Sequence, residues 1–91
     1  MLKIVVERSA GMMARVRLEG QVIGPWVEEL ERACRPMLAD GAGLALDLGS
    51  VSFVSREGAR LLSSLRGRGV ALLGCSGLVG EQLRAHEEAT R

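Results

Sequence analysis

Apolar positions change their spacing along the chain, and each change predicts an element. Leu2-Lys3-Ile4-Val5-Val6-Glu7-Arg8 reads as a strand, with Ser9-Ala10-Gly11 as the turn after it. From Met13 to Leu18 the period is two. Arg15 and Arg17 fall on one side, and Ala14, Val16 and Leu18 on the other. That is a half-solvated strand, antiparallel to the first. Residues 19–23 lead into a helix, with Gly24 suited to the N-cap and Pro25 to the first helical position, where its missing N–H costs nothing. Trp26, Val27, Leu30, Ala33, Cys34, Met37 and Leu38 then recur with the helical period, opposed by Glu28, Glu29, Glu31, Arg32 and Arg35. Pro36 interrupts the pattern, since it removes one helical hydrogen bond and crowds the preceding turn. A kink is expected there, or a last turn only loosely helical.

Gly43-Leu44-Ala45-Leu46-Asp47-Leu48 predicts a short strand buried on both faces, followed by a tight Gly49-Ser50 turn and the stretch Val51-Ser52-Phe53-Val54. Ser55-Arg56-Glu57-Gly58 starts a helix, with Ser55 as N-cap and Ala59, Leu61, Leu62 and Leu65 on one face. Gly67 and Gly69 punctuate its end, and Val70-Ala71-Leu72-Leu73 is a second apolar strand. Strand, helix and strand with no hairpin make a parallel unit joined by a right-handed crossover. Cys75-Ser76-Gly77 leads to a third helix from about Leu78 to His86, with Ser76 at its N-cap.

The predicted order is β-β-α-β-α-β-α, an α/β fold with a mixed four-stranded sheet, over residues 1–91 as a single domain. Both crossovers advance in the same direction, so their helices should share one face. The carboxyl ends of the three parallel strands are expected on one rim, with loops Gly20–Pro25, Gly49–Arg56 and Gly74–Ser76. In open α/β sheets this rim is where function usually sits. The fourth strand is expected at an exposed edge, and its lack of charge favours a homodimer or some other cover for that edge.

The segment from Gly43 to Gly74 resembles the STAS domain, shared by sulfate transporters and bacterial anti-sigma factor antagonists. That family has an apolar strand ending in Asp-Leu, then Val-x-Phe-apolar-Asp-Ser-Ser/Thr-Gly, an amphipathic helix and a strand ending in Gly. Leu46-Asp47-Leu48, Val51, Phe53, Val54, Gly58, Leu61-Leu62 and Leu72-Leu73-Gly74 fall in register with it. The resemblance spans roughly residues 13–85. It implies a STAS (anti-sigma factor antagonist-like) fold and a non-enzymatic, cytoplasmic regulatory module acting by protein contact. The implied partner is an anti-sigma kinase of the histidine-kinase-like ATPase type, whose capture frees a sigma factor. Two other roles are open: an accessory subunit of a lipid-transport ATP-binding cassette complex, and a sensor holding a small anion or nucleotide at the rim.

Two departures bear on the site. Where phosphorylated members carry Asp, Ser and the acceptor Ser or Thr, this chain has Ser55, Arg56 and Glu57. Where they carry Asp at the end of the second strand, it has Ile23. Both rim aspartates and the acceptor hydroxyl are gone together. Glu57 then holds a fixed negative charge in the phosphoacceptor position. Its mimicry is partial, since a phosphate carries nearly two charges and three oxygens. Ser52 and Ser55 stay open as shifted acceptors. The partner-binding candidates are Ile23, Trp26, Ser55, Arg56, Glu57 and Gly58, because apolar loop residues beside an arginine suit a protein contact.

Composition narrows the field. A chain of 91 residues buries about 60–65% of its unfolded surface. Hydrophobic content is 47% with only Trp26 and Phe53 aromatic, so the core is aliphatic. A net charge of +1 with mixed signs gives no basic footprint for nucleic acid, and there is no aromatic stacking platform. No apolar run reaches membrane-span length and no signal-peptide pattern opens the chain, so no membrane insertion is expected. Catalysis fails on inventory. His86 is the only histidine, and with Cys34 and Cys75 it cannot close a zinc site. Cys75 follows a strand as a phosphatase nucleophile does, but Glu81 stands where the phosphate-binding Arg is needed. The glycines match no phosphate-binding motif, and no metal or cofactor is expected.

Overall fold

The computed structural model describes residues 1–8, 13–39, 43–75 and 77–89. The elements are β1 (Leu2–Arg8), β2 (Met13–Val22), α1 (Pro25–Ala39), β3 (Gly43–Val54), α2 (Arg56–Gly67), β4 (Ala71–Leu73) and α3 (Gly77–Ala89). They form one four-stranded sheet in the order β1-β2-β3-β4. β1 is antiparallel to β2, whereas β2, β3 and β4 are mutually parallel neighbours. This is the mixed sheet the patterning predicts. The turn at Ser9–Gly11 and the cap at Ser76 fall outside the described residues.

The alternation in β2 is realised as an inside and an outside. Ala14, Val16 and Leu18 are buried, and Leu44, Leu46 and Leu48 of β3 join them under the helices. α1 presents Leu30, Cys34 and Met37, and α2 presents Ala59, Leu62 and Leu65. Both helices touch β3 and each other, as two right-handed crossovers on one face require. The opposite face of the sheet carries a charge ladder. Arg15 reaches Asp47 at 2.7 Å, and Arg17 lies between Glu7 at 3.6 Å and Glu19 at 3.5 Å.

Three expectations need correction. Gly49-Ser50 is not a turn: β3 runs unbroken to Val54, and the extra residues are absorbed as register shifts against β2. The Asp47 carboxylate accepts the Gly49 N–H at 2.9 Å, which holds the bulge inside the ladder. β2 extends to Val22, so the loop before α1 is shorter than Gly20–Pro25. α1 runs through Pro36 to Ala39. Finally, the strand expected over residues 70–73 spans only Ala71–Leu73, at the sheet edge, and is largely exposed.

That short edge reshapes the rim. β4 pairs with Ala45, Leu46 and Asp47 and stops level with Asp47, well below the end of β3. The rim therefore steps down from β3 to β4, and α3 fills the step. It is longer than predicted, buries Val79 and Leu83, and lays Gln82 against the upper part of β3. The Val54 N–H, on the side of β3 that β4 does not reach, donates to Gln82 Oε1 at 3.0 Å. An edge that β4 leaves open is covered by a helix.

Candidate protein-binding site at the start of the second helix

The site is built where β2 and β3 end side by side, at Val22 and Val54. Ser55 is extended (φ −74°, ψ 173°) and caps α2. Its Oγ accepts the Gly58 N–H at 3.1 Å and donates to the Val22 carbonyl at 3.3 Å. Its own N–H donates to the same carbonyl at 3.0 Å, and its carbonyl receives the Ala59 N–H at 2.8 Å. One serine thus satisfies a donor at the helix start and ties it to the neighbouring strand. Phosphorylation of Ser55 would remove the proton its hydroxyl donates to the Val22 carbonyl. Ser52 is exposed, and its Oγ donates to the Gly20 carbonyl at 3.2 Å.

Gly58 is buried because there is no room for more. A Cβ there would lie 2.5 Å from the Val22 carbonyl oxygen and 2.9 Å from Val54 Cγ1. The bare backbone lets α2 begin pressed against the end of β2, and the residues just before it are pushed to the surface.

Arg56 and Glu57 are both exposed on that first turn. Glu57 sits near the positive end of the helix dipole, which stabilises a carboxylate by about 0.3–1 kcal/mol. Successive helical residues point about 100° apart, so the two side chains face different neighbours. Arg56 lines a groove of about 550 Å³ between α2 and α3, together with Ser55, Arg60, Gln82 and His86. Glu57 lines a smaller cleft of about 260 Å³ between α2 and α1, with Val27, Glu28, Glu31 and Leu61. Arg60, one turn on, borders both.

The other candidates belong to the start of α1. Ile23 is half-buried, and its carbonyl accepts the Trp26 N–H at 3.1 Å. Trp26 is half-buried and packs against the core. The α1–α2 cleft begins at the next residue, Val27. Arg60, Glu28 and Gln82 are not among the sequence candidates for the site. Arg60 had a signal: it lies four residues after Arg56 and three after Glu57, hence on the same side as each. Gln82 had none, because its value lies in a backbone group far away in sequence.

The remaining chemistry lies elsewhere. Cys34 is buried under α1, and burial pushes its thiol up to about 11. Cys75 is half-buried; burial raises its thiol too, opposed by the nearby Arg66 guanidinium. Among the described residues, no three His, Cys, Asp or Glu side chains are grouped to hold a metal. No described helix is long and apolar enough to cross a membrane.

By sequence, no family model and no curated protein matches the chain. By structure the chain has a STAS-like fold, and three solved structures show it. The anti-sigma factor antagonist SpoIIAA in its unphosphorylated form superposes with a TM-score of 0.73 at 17% identity, over 97% of this chain and 94% of the other. An anti-sigma factor antagonist from Mycobacterium paratuberculosis gives 0.72 at 20% identity, over 98% and 82%. The STAS domain of an antisigma-factor antagonist from Rhodobacter sphaeroides gives 0.70 at 16% identity, over 86% and 94%.

Proposed function

We propose that this chain is a non-enzymatic regulatory module that docks a protein partner on the first turns of α2, as an anti-sigma factor antagonist does. The observation that carries this reading is the likeness to SpoIIAA, which runs over 97% of the chain and so includes the start of α2. The partner type it suggests is an anti-sigma kinase of the histidine-kinase-like ATPase class. Glu57 gives the surface a permanent carboxylate in the position of a phosphoacceptor, so engagement is not switched by phosphorylation at that residue. The loss of Asp at the positions of Ile23 and Ser55 fits a surface reshaped for a partner with a basic complement to Glu57.

The test is the affinity of the purified protein for kinase-type ATPases encoded near its gene, with Glu57→Gln as the variant. Weaker binding through slower, salt-sensitive association is expected, because exposed charges act mainly on encounter. Tighter binding of Glu57→Gln would mean that the carboxylate is a locked inhibitory charge, and would overturn the matched-partner reading. Stoichiometric phosphate on Ser52 or Ser55 that changes the affinity would show that the switch survives in a shifted register.

A further inference from the structure

The two grooves beside α2 are opposite in charge. The α2–α3 groove carries Arg56 and Arg60 above a floor of Val54 and Ala59, and among the described residues no Asp or Glu lines it. The α1–α2 cleft carries Glu28, Glu31 and Glu57, three carboxylates against the single Arg60 that borders both grooves. Arg15, Arg17, Arg32, Arg35 and Arg66 all have a carboxylate within ion-pairing distance. Among the described residues, Arg56 and Arg60 have none. Lys3, Arg68 and Arg84 are also unpaired, but each stands without another unpaired cation on the same turn of the same face. Arg56 and Arg60 are one helical turn apart, a spacing at which like charges repel. No carboxylate within ion-pairing distance offsets that repulsion, although Glu57 lies three residues before Arg60; a ligand with carboxylates would.

We propose that the α2–α3 groove receives an acidic segment of the docked protein, with Arg56 and Arg60 pairing its carboxylates and small apolar side chains resting on Val54 and Ala59. The inference rests on the docking reading above and adds the polarity of the partner: acidic over α3, basic over Glu28 and Glu57. Shape supports a polypeptide here. The groove is open, with alanines at 59, 85 and 89 leaving room for side chains from outside. Two guanidinium groups on one face can bind successive carboxylates in paired hydrogen bonds.

The test titrates the isotope-labelled full chain with a Glu-Ala repeat peptide, its Lys-Ala counterpart and inorganic phosphate, followed by amide chemical shifts. The acidic peptide should shift signals of residues 55–60 and 82–89 saturably, and Arg56→Glu/Arg60→Glu should weaken its binding at least about tenfold at low salt. Both arginines are exposed, so that variant should keep its fold; Arg56→Gln/Arg60→Gln is the second variant if it does not. Equal shifts with the Lys-Ala peptide, no saturable shift at all, or binding unaltered by both variants would overturn the proposal. Saturation of the same signals by phosphate alone would make this a small-anion site, and shifts that grow with protein concentration alone would make it a contact between copies; either outcome overturns it. No kinase enters the titration, so failure here is separate from failure of the docking reading.

Discussion

Gly58 and Gly67 lie in the same helix and predict opposite results for the same substitution. At Gly58 an added methyl meets the Val22 carbonyl oxygen at 2.5 Å and the Val22 and Val54 methyls at 3.0 and 2.9 Å. The nearest of these is backbone, which cannot rotate away, so the start of α2 must lift from β2. Overpacking of this kind costs about 1–3 kcal/mol. Lifting the helix also stretches the Ser55 bonds to Val22 and Gly58, and a lost cap costs about 1 kcal/mol. Against this stands the gain from removing a helical glycine, about 0.5–1 kcal/mol. The net for Gly58→Ala is a loss of about 1–3 kcal/mol. In a chain this size each 1 kcal/mol moves Tm by about 4–8 °C, so melting should fall by roughly 5–20 °C. At Gly67 nothing lies within 4 Å of the new methyl and φ is not positive, so Gly67→Ala should be neutral or stabilising by up to about 1 kcal/mol. Thermal unfolding followed by circular dichroism reads both. A Gly58→Ala protein melting at or above the parent would refute the claim that α2 is seated by close backbone contact.

Two further outcomes follow from the charged and thiol groups. Asp47 is held below the usual carboxylate range, first by the Gly49 N–H and then by Arg15. A depressed carboxylate stabilises the fold above its unfolded pKa and loses that contribution as pH falls through the folded one. Asp47→Asn should therefore be less stable than the parent at neutral pH, with the difference shrinking below about pH 4 in urea titrations; a pH-independent difference would count against the assignment. For the thiols, Cys75 should react with a thiol reagent at pH 8 well before Cys34, whose thiolate is scarce at a pKa of about 11 and whose side chain is buried. Equal rates would argue against that burial.

How far the structure was legible depends on whether a signal was local. Period two in β2 and period 3.6 in α1 and α2 fixed which side chains turn inward, because burial of one face imposes those periods directly. The cap at Ser55 was legible for the same reason, since its partner is three residues away. The bulge at Gly49 was not. Gly-Ser reads as a turn until the Asp47 side chain and the register of β2 are known. The third helix gives only a weak apolar signal because its buried face is narrow, only Val79 and Leu83 being buried. Its tie to the sheet is Gln82, a polar residue whose partner in β3 is remote in sequence. The stepped rim was invisible for a related reason: the length of an edge strand depends on what lies beside it, and here α3 does the covering.

Charge placement around α2 bears on how a module without a phosphorylatable residue at Glu57 could still be selective. A switch works by changing one charge at one point. Fixed charges can discriminate only through their pattern, and a pattern needs at least two signs in different places. Helix geometry supplies this, since adjacent Arg56 and Glu57 diverge into separate grooves and Arg60 extends the positive side by one turn. A partner rotated about the axis of α2 would set its acidic segment against Glu28 and Glu57, and like charges across an interface are costly. The same polarity therefore sets orientation as well as partner choice. It follows that single charge removals on either side should weaken docking, whereas exchanging the signs at 56 and 57 (Arg56→Glu with Glu57→Arg) should abolish it although the net charge is unchanged. That last outcome separates a surface read by pattern from one read by total charge.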